Sequence, residues 1–221
     1  MGSLSPLEHL FTPLRIGAFA LQHRVVQAPC TRMRSTKEAD GIWVPNDLNV
    51  EYYAQRASKG GLMLSEATPI SRDVCTGCFF SFLFLLDEWL NILSMQAAGY
   101  PGVPGIFTPS QIESWKKVTN AVHAKGGLIL CQLWHVGRAT TPGFLGGKTP
   151  LAPSDIPISG KALDGTEYAD TPPRPMTVDE IKEVVLEYAA ASKRAIEAGF
   201  DGVEIHGTVT TLLACYCHSM P

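Results

Sequence analysis

Polar side chains that could do chemistry follow four short apolar runs of this sequence. Each of them alone is most often a loop hydrogen bond or a helix cap, but all four runs end on such groups. Together they offer hydrogen-bond donors, hydrogen-bond acceptors and titratable groups, which is what a binding or catalytic site requires. In chain order, these residues are Thr31 and Arg32, Glu66 and Thr68, Gln132, Trp134 and His135, and finally Glu204 and His206.

Cysteines offer a second kind of chemistry. The groups Cys75-x-x-Cys78 and Cys215-x-Cys217-His218 contain thiol and imidazole ligands, which suit zinc. The first pair has no turn residues around it, and the second group lies at the end of the sequence. Incidental thiols are therefore the favoured interpretation, and we predict no metal site.

The elements that must position the polar residues form an alternating pattern. The runs 25–28, 62–65, 128–131 and 202–205 are mostly continuous, which is typical of strands covered on both faces. Between them, helix start signals stand at Asn46, Thr108 and Thr177, the last two as capping boxes. Strands that alternate with helices imply parallel pairing with right-handed crossovers.

Two architectures have this order of elements, a doubly wound sheet and a (β/α)8 barrel. A doubly wound nucleotide-binding sheet carries Gly-x-Gly-x-x-Gly after its first strand, but residues 29–34 read Pro-Cys-Thr-Arg-Met-Arg. The sequence therefore favours an α/β fold of the (β/α)8 TIM-barrel class. In such barrels the chemistry takes place at the carboxyl ends of the strands, where the polar residues stand.

Composition excludes several classes of protein. Apolar residues make up 45% and charged residues 18% of the 221 residues, so the chain is not intrinsically disordered. A net charge of −3 gives no basic surface for nucleic acid. The longest apolar stretch, 79–86, is too short to cross a membrane. The first residues lack the basic and apolar regions of a secretory signal. We expect a cytoplasmic protein that binds neither nucleic acid nor membrane.

Long ordered blocks of this sequence resemble the Old Yellow Enzyme family. The longest reads Cys131-Gln132-Leu133-Trp134-His135-Val136-Gly137-Arg138. The resemblance covers roughly residues 8–73 and 97–207. The other blocks are 10–14, 23–26, 28–32, 51–57, 64–68, 99–102, 104–106 and 198–207.

The resemblance implies a barrel that binds FMN, uses NAD(P)H as reductant and reduces the C=C bond of an α,β-unsaturated carbonyl compound, a small enone or enal. His206 matches a catalytic residue that hydrogen-bonds the substrate carbonyl oxygen, where negative charge develops. Trp134 is expected to line the substrate pocket. The residues that match cofactor-binding positions are Pro29, Cys30 and Thr31 beside the flavin ring, Ala67 at the ring edge, and Gln132 at the pyrimidine part.

Three departures from the family pattern affect the prediction. Residues 74–96 form an extra segment, for which we hypothesise a translated intron; a true surface insertion is the alternative. In the atypical tail 208–221, Val209 replaces the second carbonyl-binding residue, and Thr211 replaces the tyrosine that protonates the substrate, as expected from a frameshift or a mis-spliced gene. The last four β/α units of the barrel are not in the sequence.

We therefore expect residues 1–221 to form a single incomplete TIM-barrel domain with about the first four β/α units. Its first and fourth strands would have open edges, so a homo-oligomer is one expectation. The predicted function is that of an FMN-dependent ene-reductase, with little or no activity in the chain as written. The alternative is a non-catalytic half-barrel that acts as an oligomerising or regulatory protein.

Overall fold

The N-terminal part of the molecule is a short helix followed by a hairpin. The computed structural model describes residues 6–39, 41–71 and 100–207. Helix α1 (Pro6–Leu10) precedes the antiparallel strands β1 (Leu14–Ile16) and β2 (Phe19–Leu21), which turn at Gly17 with φ at +57°. This hairpin was not predicted from the sequence, because three-residue strands are too short to show a periodicity.

The first parallel crossover joins strands β3 (Val26–Gln27) and β6 (Leu62–Leu64). It contains a small antiparallel pair, β4 (Thr36–Lys37) and β5 (Trp43–Val44), and helix α2 (Asp47–Arg56). Asn46 caps the helix by accepting hydrogen bonds from Leu48 N and Asn49 N. The predicted cap is confirmed, and the helix ends at Arg56.

The next two crossovers lead to the strands that carry most of the candidate site. A short strand, β7 (Thr68–Pro69), follows β6, and helix α3 (Pro109–His123) precedes strand β8 (Leu128–Trp134). A long connection then contains the parallel pair β9 (Leu151–Ala152) and β10 (Arg174–Pro175). Helix α4 (Val178–Glu197) leads to strand β11 (Gly202–Ile205). Both predicted capping boxes, at Thr108 and Thr177, are present.

The four main strands form a parallel sheet in the order β11-β8-β6-β3, with β7 also paired to β8. Parallel pairing is as predicted, and β8 extends three residues further than expected. The core lies between this sheet and its helices, where Ile129, Cys131 and Leu133 of β8 meet Trp115 of α3, all at 0% exposure. Every second residue of β8 therefore points toward the helices.

The prediction that the strands are covered on both faces holds only in part. Within the described residues, β3 and β11 have a neighbouring strand on one side only, and the sheet does not close into a barrel. Val26 of β3 is 39% exposed and Ile205 of β11 is 55% exposed. Strands at open edges of a sheet leave a row of backbone N–H and C=O groups unpaired.

Candidate active site

Strands β8 and β11 place four polar or aromatic side chains on one face of the sheet. Gln132 pairs in register with Glu204, and the His206 N–H donates to Leu133 O over 2.9 Å, so the ladder continues past the end of β11. The Gln132 Nε2 lies 3.4 Å from Glu204 Oε2, and the ring centroids of Trp134 and His206 are 6.2 Å apart. The sheet thus brings Gln132, Trp134 and His206 together at one edge of the strand ends.

Gln132 is held firmly by its backbone while its carboxamide keeps hydrogen-bonding capacity. Its N–H donates to the hydroxyl of Ser65 over 2.9 Å, and the residue is 5% exposed. The side chain makes one long hydrogen bond, to Glu204. Because a carboxamide offers two N–H donors and a carbonyl acceptor, it can still serve a partner that presents both a donor and an acceptor.

His206 is the candidate hydrogen-bond donor to a substrate. Partial burial lowers the pKa of its imidazole below the ordinary value of 6.5, against a weaker opposing effect of its own backbone hydrogen bond and of Glu204. The ring is therefore mostly neutral at pH 7. A neutral imidazole carries one N–H donor and one acceptor nitrogen, which suits contact with a carbonyl oxygen.

Two further aromatic rings, those of Tyr100 and Phe144, extend the site beyond Trp134. The ring centroid of Tyr100 lies 5.4 Å from that of Trp134 and 6.4 Å from that of Phe144. The Tyr100 hydroxyl donates to Ala139 O over 2.7 Å, which orients the ring. The Trp134 Nε1–H is buried and has no hydrogen-bond partner among the described residues. The sequence pattern gave no signal for a role of Tyr100, because its contact with Trp134 joins positions far apart in the chain.

The segment predicted to line a flavin ring follows β3. Pro29 is partly buried, while Cys30 and Thr31 are exposed. The Thr31 hydroxyl makes no hydrogen bond with any described residue, and the Arg32 guanidinium lies 3.6 Å from the Cys30 sulfur. The Thr31 hydroxyl is thus available to a ligand, although none of these residues touches Gln132 or His206 through a hydrogen bond in the described part of the chain.

Glu66, which follows strand β6, connects the segment after β3 to the end of β6. Its carboxylate accepts a hydrogen bond from Arg32 N over 3.0 Å, and the side chain is fully buried. Ala67, the next residue, is 5% exposed and lies between β6 and β7. Glu66 was predicted to lie at a strand end, but no role followed from the sequence. The available signal was a carboxylate placed close behind a buried apolar run.

The comparison with protein families identifies the class of this molecule. The sequence model of the NADH:flavin oxidoreductase / NADH oxidase family matches residues 9–76 and 88–218. The chain belongs to this family, whose members of Old Yellow Enzyme type are FMN oxidoreductases. The family implies FMN as the cofactor and NAD(P)H as the reductant.

Individual relatives agree with this assignment. The chain is 82% identical over 218 residues to the flavin oxidoreductase hxnT of Emericella nidulans, covering 99% of this chain and 50% of that protein. It is 41% identical to 12-oxophytodienoate reductase 7 of rice, Oryza sativa subsp. japonica, covering 90% of this chain and 44% of the relative. The chain thus spans about half the length of these curated relatives.

A solved structure shows the fold. The old yellow enzyme homologue from Zymomonas mobilis matches with a TM-score of 0.72 and 39% sequence identity, covering 92% of this chain and 49% of the other. That relative is a TIM barrel, so the described sheet and helices have the fold of part of one. The predicted fold class and family are confirmed.

Several predictions fall outside the described residues. They concern the thiols and the imidazole at 75, 78, 215, 217 and 218, for which no metal site is predicted, the inserted segment 74–96, and the substitutions Val209 and Thr211 in the tail. Within the described ranges, there is no cluster of three or more side chains suited to a metal ion. In the same ranges, no helix combines the length and apolarity needed to span a bilayer.

Proposed function

We propose that this chain contributes an FMN site and a carbonyl-binding site for the NAD(P)H-driven reduction of the C=C bond of small α,β-unsaturated carbonyl compounds. The observation that carries the proposal is the shared face of Gln132, Trp134 and His206 at the carboxyl ends of two parallel strands. Catalytic groups of TIM barrels lie at this end of the sheet.

The donor set fits a flat heterocycle with a polar edge. Gln132 offers a carboxamide that is largely unused, Thr31 offers a hydroxyl without a partner in the described residues, and Ala67 presents only a methyl group. Pro29 and Cys30 stand next to Thr31 on the same segment. These five residues are the ones we propose to hold FMN, in agreement with the positions that the family resemblance implies.

The protein's own groups would act on the substrate oxygen. When bound, FMN supplies a hydride carrier between NAD(P)H and the substrate. His206 would donate a hydrogen bond to the carbonyl oxygen, which becomes more negative as hydride adds to the β-carbon, so the contact strengthens in the transition state. Trp134 would restrict the substrate to the side of the site next to His206.

The sequence also predicts that turnover by this chain is low. Val209 has no donor for the second carbonyl contact, and the hydroxyl of Thr211 is shorter and much less acidic than that of a tyrosine. Both stand where the family resemblance expects residues that bind or protonate the substrate. We therefore expect binding of FMN without efficient reduction of an enone.

Titration of the purified 221-residue chain with FMN tests the proposal. We expect the fluorescence of FMN to change on binding, and Gln132→Leu to weaken binding about tenfold because the polar ring edge loses its partner. Gln55→Leu, on the exposed side of α2, is the matched control and should bind like the wild type. Absence of FMN binding by the wild-type chain would contradict the proposal.

A second assay examines turnover. NADPH oxidation that depends on an added enone, such as cyclohexenone, is expected to be far below that of a full-length relative. Turnover close to that of a full-length relative would contradict the predicted low activity but would support the proposed reaction.

The alternative function, a non-catalytic half-barrel that associates with itself, is favoured by one observation. Both outer strands of the described sheet are open, and Ile205 at one edge is 55% exposed. A chain that binds no FMN and forms defined oligomers would support this alternative.

A further inference from the structure

Glu66 is a buried carboxylate with a specific set of hydrogen-bond donors. Its side chain is 0% exposed, its Oε2 accepts from Arg32 N over 3.0 Å, and its Oε1 accepts from Asn49 Nδ2 over 3.1 Å. The backbone N–H of Met33 also favours its charged form. The carboxylate therefore joins the segment after β3 to helix α2 from a position at the end of β6.

The donors around Glu66 require a side chain that only accepts. Asn49 cannot reverse its carboxamide, because its Oδ1 already accepts from Asn46 N over 2.9 Å in the cap of α2. Both partners of the Glu66 carboxylate thus present N–H groups. An ionised carboxylate satisfies both, whereas a glutamine or a protonated glutamate would place a donor against one of them.

The segment that Glu66 holds needs support from outside. Met33 has φ at +54°, a conformation that is uncommon for residues other than glycine and persists when surrounding contacts hold it. Two backbone donors provide such contacts: Arg32 N donates to Glu66, and Ser35 N donates to Gly102 O over 3.2 Å. The segment 29–31 precedes these anchors directly.

We propose that Glu66 is a positioning residue that fixes the segment 29–33, so that Pro29, Cys30 and Thr31 are preorganised to line the flavin ring. This inference rests on the proposed function for its ligand, but not for the order of the segment itself. Glu66 need not touch the ligand, because it acts through the backbone of Arg32.

Burial supports an important role for this carboxylate. Loss of solvation raises its pKa to about 7, although the N–H groups of Arg32 and Asn49 act in the opposite direction. A charged group kept in such a place costs stability. The hydrogen bonds between Glu66 and the segment after β3 offset part of this cost in stability.

Variants of the full chain test the proposal through a reversal of hydrogen-bond polarity. In Glu66→Gln, we expect amide hydrogen exchange at Arg32 and Met33 to speed up about tenfold in the FMN-free protein, and the Kd for FMN to rise about tenfold. Asn49→Asp alone should have a similar effect, since it sets two carboxylates against each other. Glu113→Gln, on an exposed part of α3, is the matched control and should change neither quantity.

The double variant Glu66→Gln with Asn49→Asp separates positioning from general damage. There the introduced glutamine would accept from Arg32 N through its carbonyl oxygen and donate through its amide to the introduced aspartate, which would still accept from Asn46 N. We expect this variant to restore slow exchange at Arg32 and the FMN affinity to within a few-fold of the wild type. If the single variants do not fold, the double variant alone decides the question.

Two results would overturn the inference. One is unchanged exchange at Arg32 and Met33 in folded Glu66→Gln, and the other is a double variant that restores neither quantity. A wild-type chain that fails to bind FMN would instead contradict the proposed function, and the exchange measurements would still support or overturn the anchoring by Glu66.

Discussion

His135 and His206 carry the same side chain in two different surroundings. Strand β8 places His135 beyond its end, where the ring is buried and its Nδ1 accepts from Gly137 N over 3.1 Å. His206 is only half-buried and lies beside Trp134. Burial lowers the pKa of His135 to about 4. His135 therefore keeps a neutral ring, and His206 is the histidine that lies beside Trp134 in the candidate site.

The titration of His135 predicts an acid-sensitive contribution to stability. In the unfolded chain the imidazole takes up a proton below pH 6.5, whereas the folded protein resists protonation until about pH 4. Lowering the pH from 6.5 to 4 thus favours the unfolded state, by up to about 3 kcal/mol from this group. His135→Asn keeps an acceptor for Gly137 N and should lose this part of the pH dependence.

Urea unfolding followed by tryptophan fluorescence at several pH values measures this effect. The difference between wild type and His135→Asn is the relevant quantity, because Glu66, with a pKa of about 7, acts in the opposite direction over much of the same range. Equal pH dependence of the two proteins would show that His135 does not contribute.

At the scale of elements, helix α4 holds both flanks of the segment that the sequence predicts as an insertion. Arg194 donates to Ile70 O over 2.9 Å and to Ile106 O over 2.6 Å. Ser71 donates to Glu187 over 3.0 Å. The chain on either side of residues 72–99 is therefore anchored to the same helix, independently of what lies between.

This anchoring predicts the result of deleting residues 74–96. We expect the shortened chain to fold with the same secondary structure and a Tm higher by about 2–4 °C, because closing a shorter connection costs less entropy, a difference of about 1 kcal/mol. Circular dichroism and calorimetry measure both quantities. A large fall in Tm would show that the segment is an integral part of the protein, as expected of a true surface insertion that packs on the fold.

The substitution Arg194→Met tests whether the hydrogen bonds of Arg194 hold the two flanks of the segment. It removes two charge-assisted hydrogen bonds to backbone carbonyls and should destabilise both the full and the shortened chain, by about 2 kcal/mol. Arg194 is half-buried, so methionine retains much of its packing. No destabilisation in either chain would show that Arg194 does not fix the flanks.

At the scale of the whole molecule, the described sheet has two open edges that are both apolar. Val25, just before β3, is 48% exposed, and Ile205 at the end of β11 is 55% exposed. Uncovered strands pair readily with other chains. We therefore expect this chain to self-associate through its sheet edges.

Sedimentation velocity over a range of concentrations tests this expectation. The wild-type chain should exceed its monomer mass of 23.9 kDa as concentration rises, and Val25→Lys should shift it toward monomer, since lysine at an edge opposes pairing. Val185→Lys on α4, where the valine is 60% exposed, is the matched control for lost apolar surface. An equal effect of both substitutions would contradict association through the edge.

The sequence by itself determined the local structure and the class of the molecule. Helix caps at Asn46, Thr108 and Thr177 depend on residues three positions apart, so they can be read directly, and all three form as predicted. The alternation of apolar runs with helices was sufficient to predict that the strands pair in parallel. Long ordered blocks indicated the family, which the comparisons confirm.

Only the tertiary structure decided how the polar residues are held. Glu66 contacts Arg32, which is 34 positions away in the sequence, and Asn49, which is 17 positions away. Tyr100 packs on Trp134, which is likewise far away in the sequence. Likewise, the exposure of β3 and β11 depends on which strands lie beside them, and the sequence of a single strand does not show this. Such contacts depend on how the sheet is assembled, because burial and hydrogen bonding between distant segments exist only once the chain has folded.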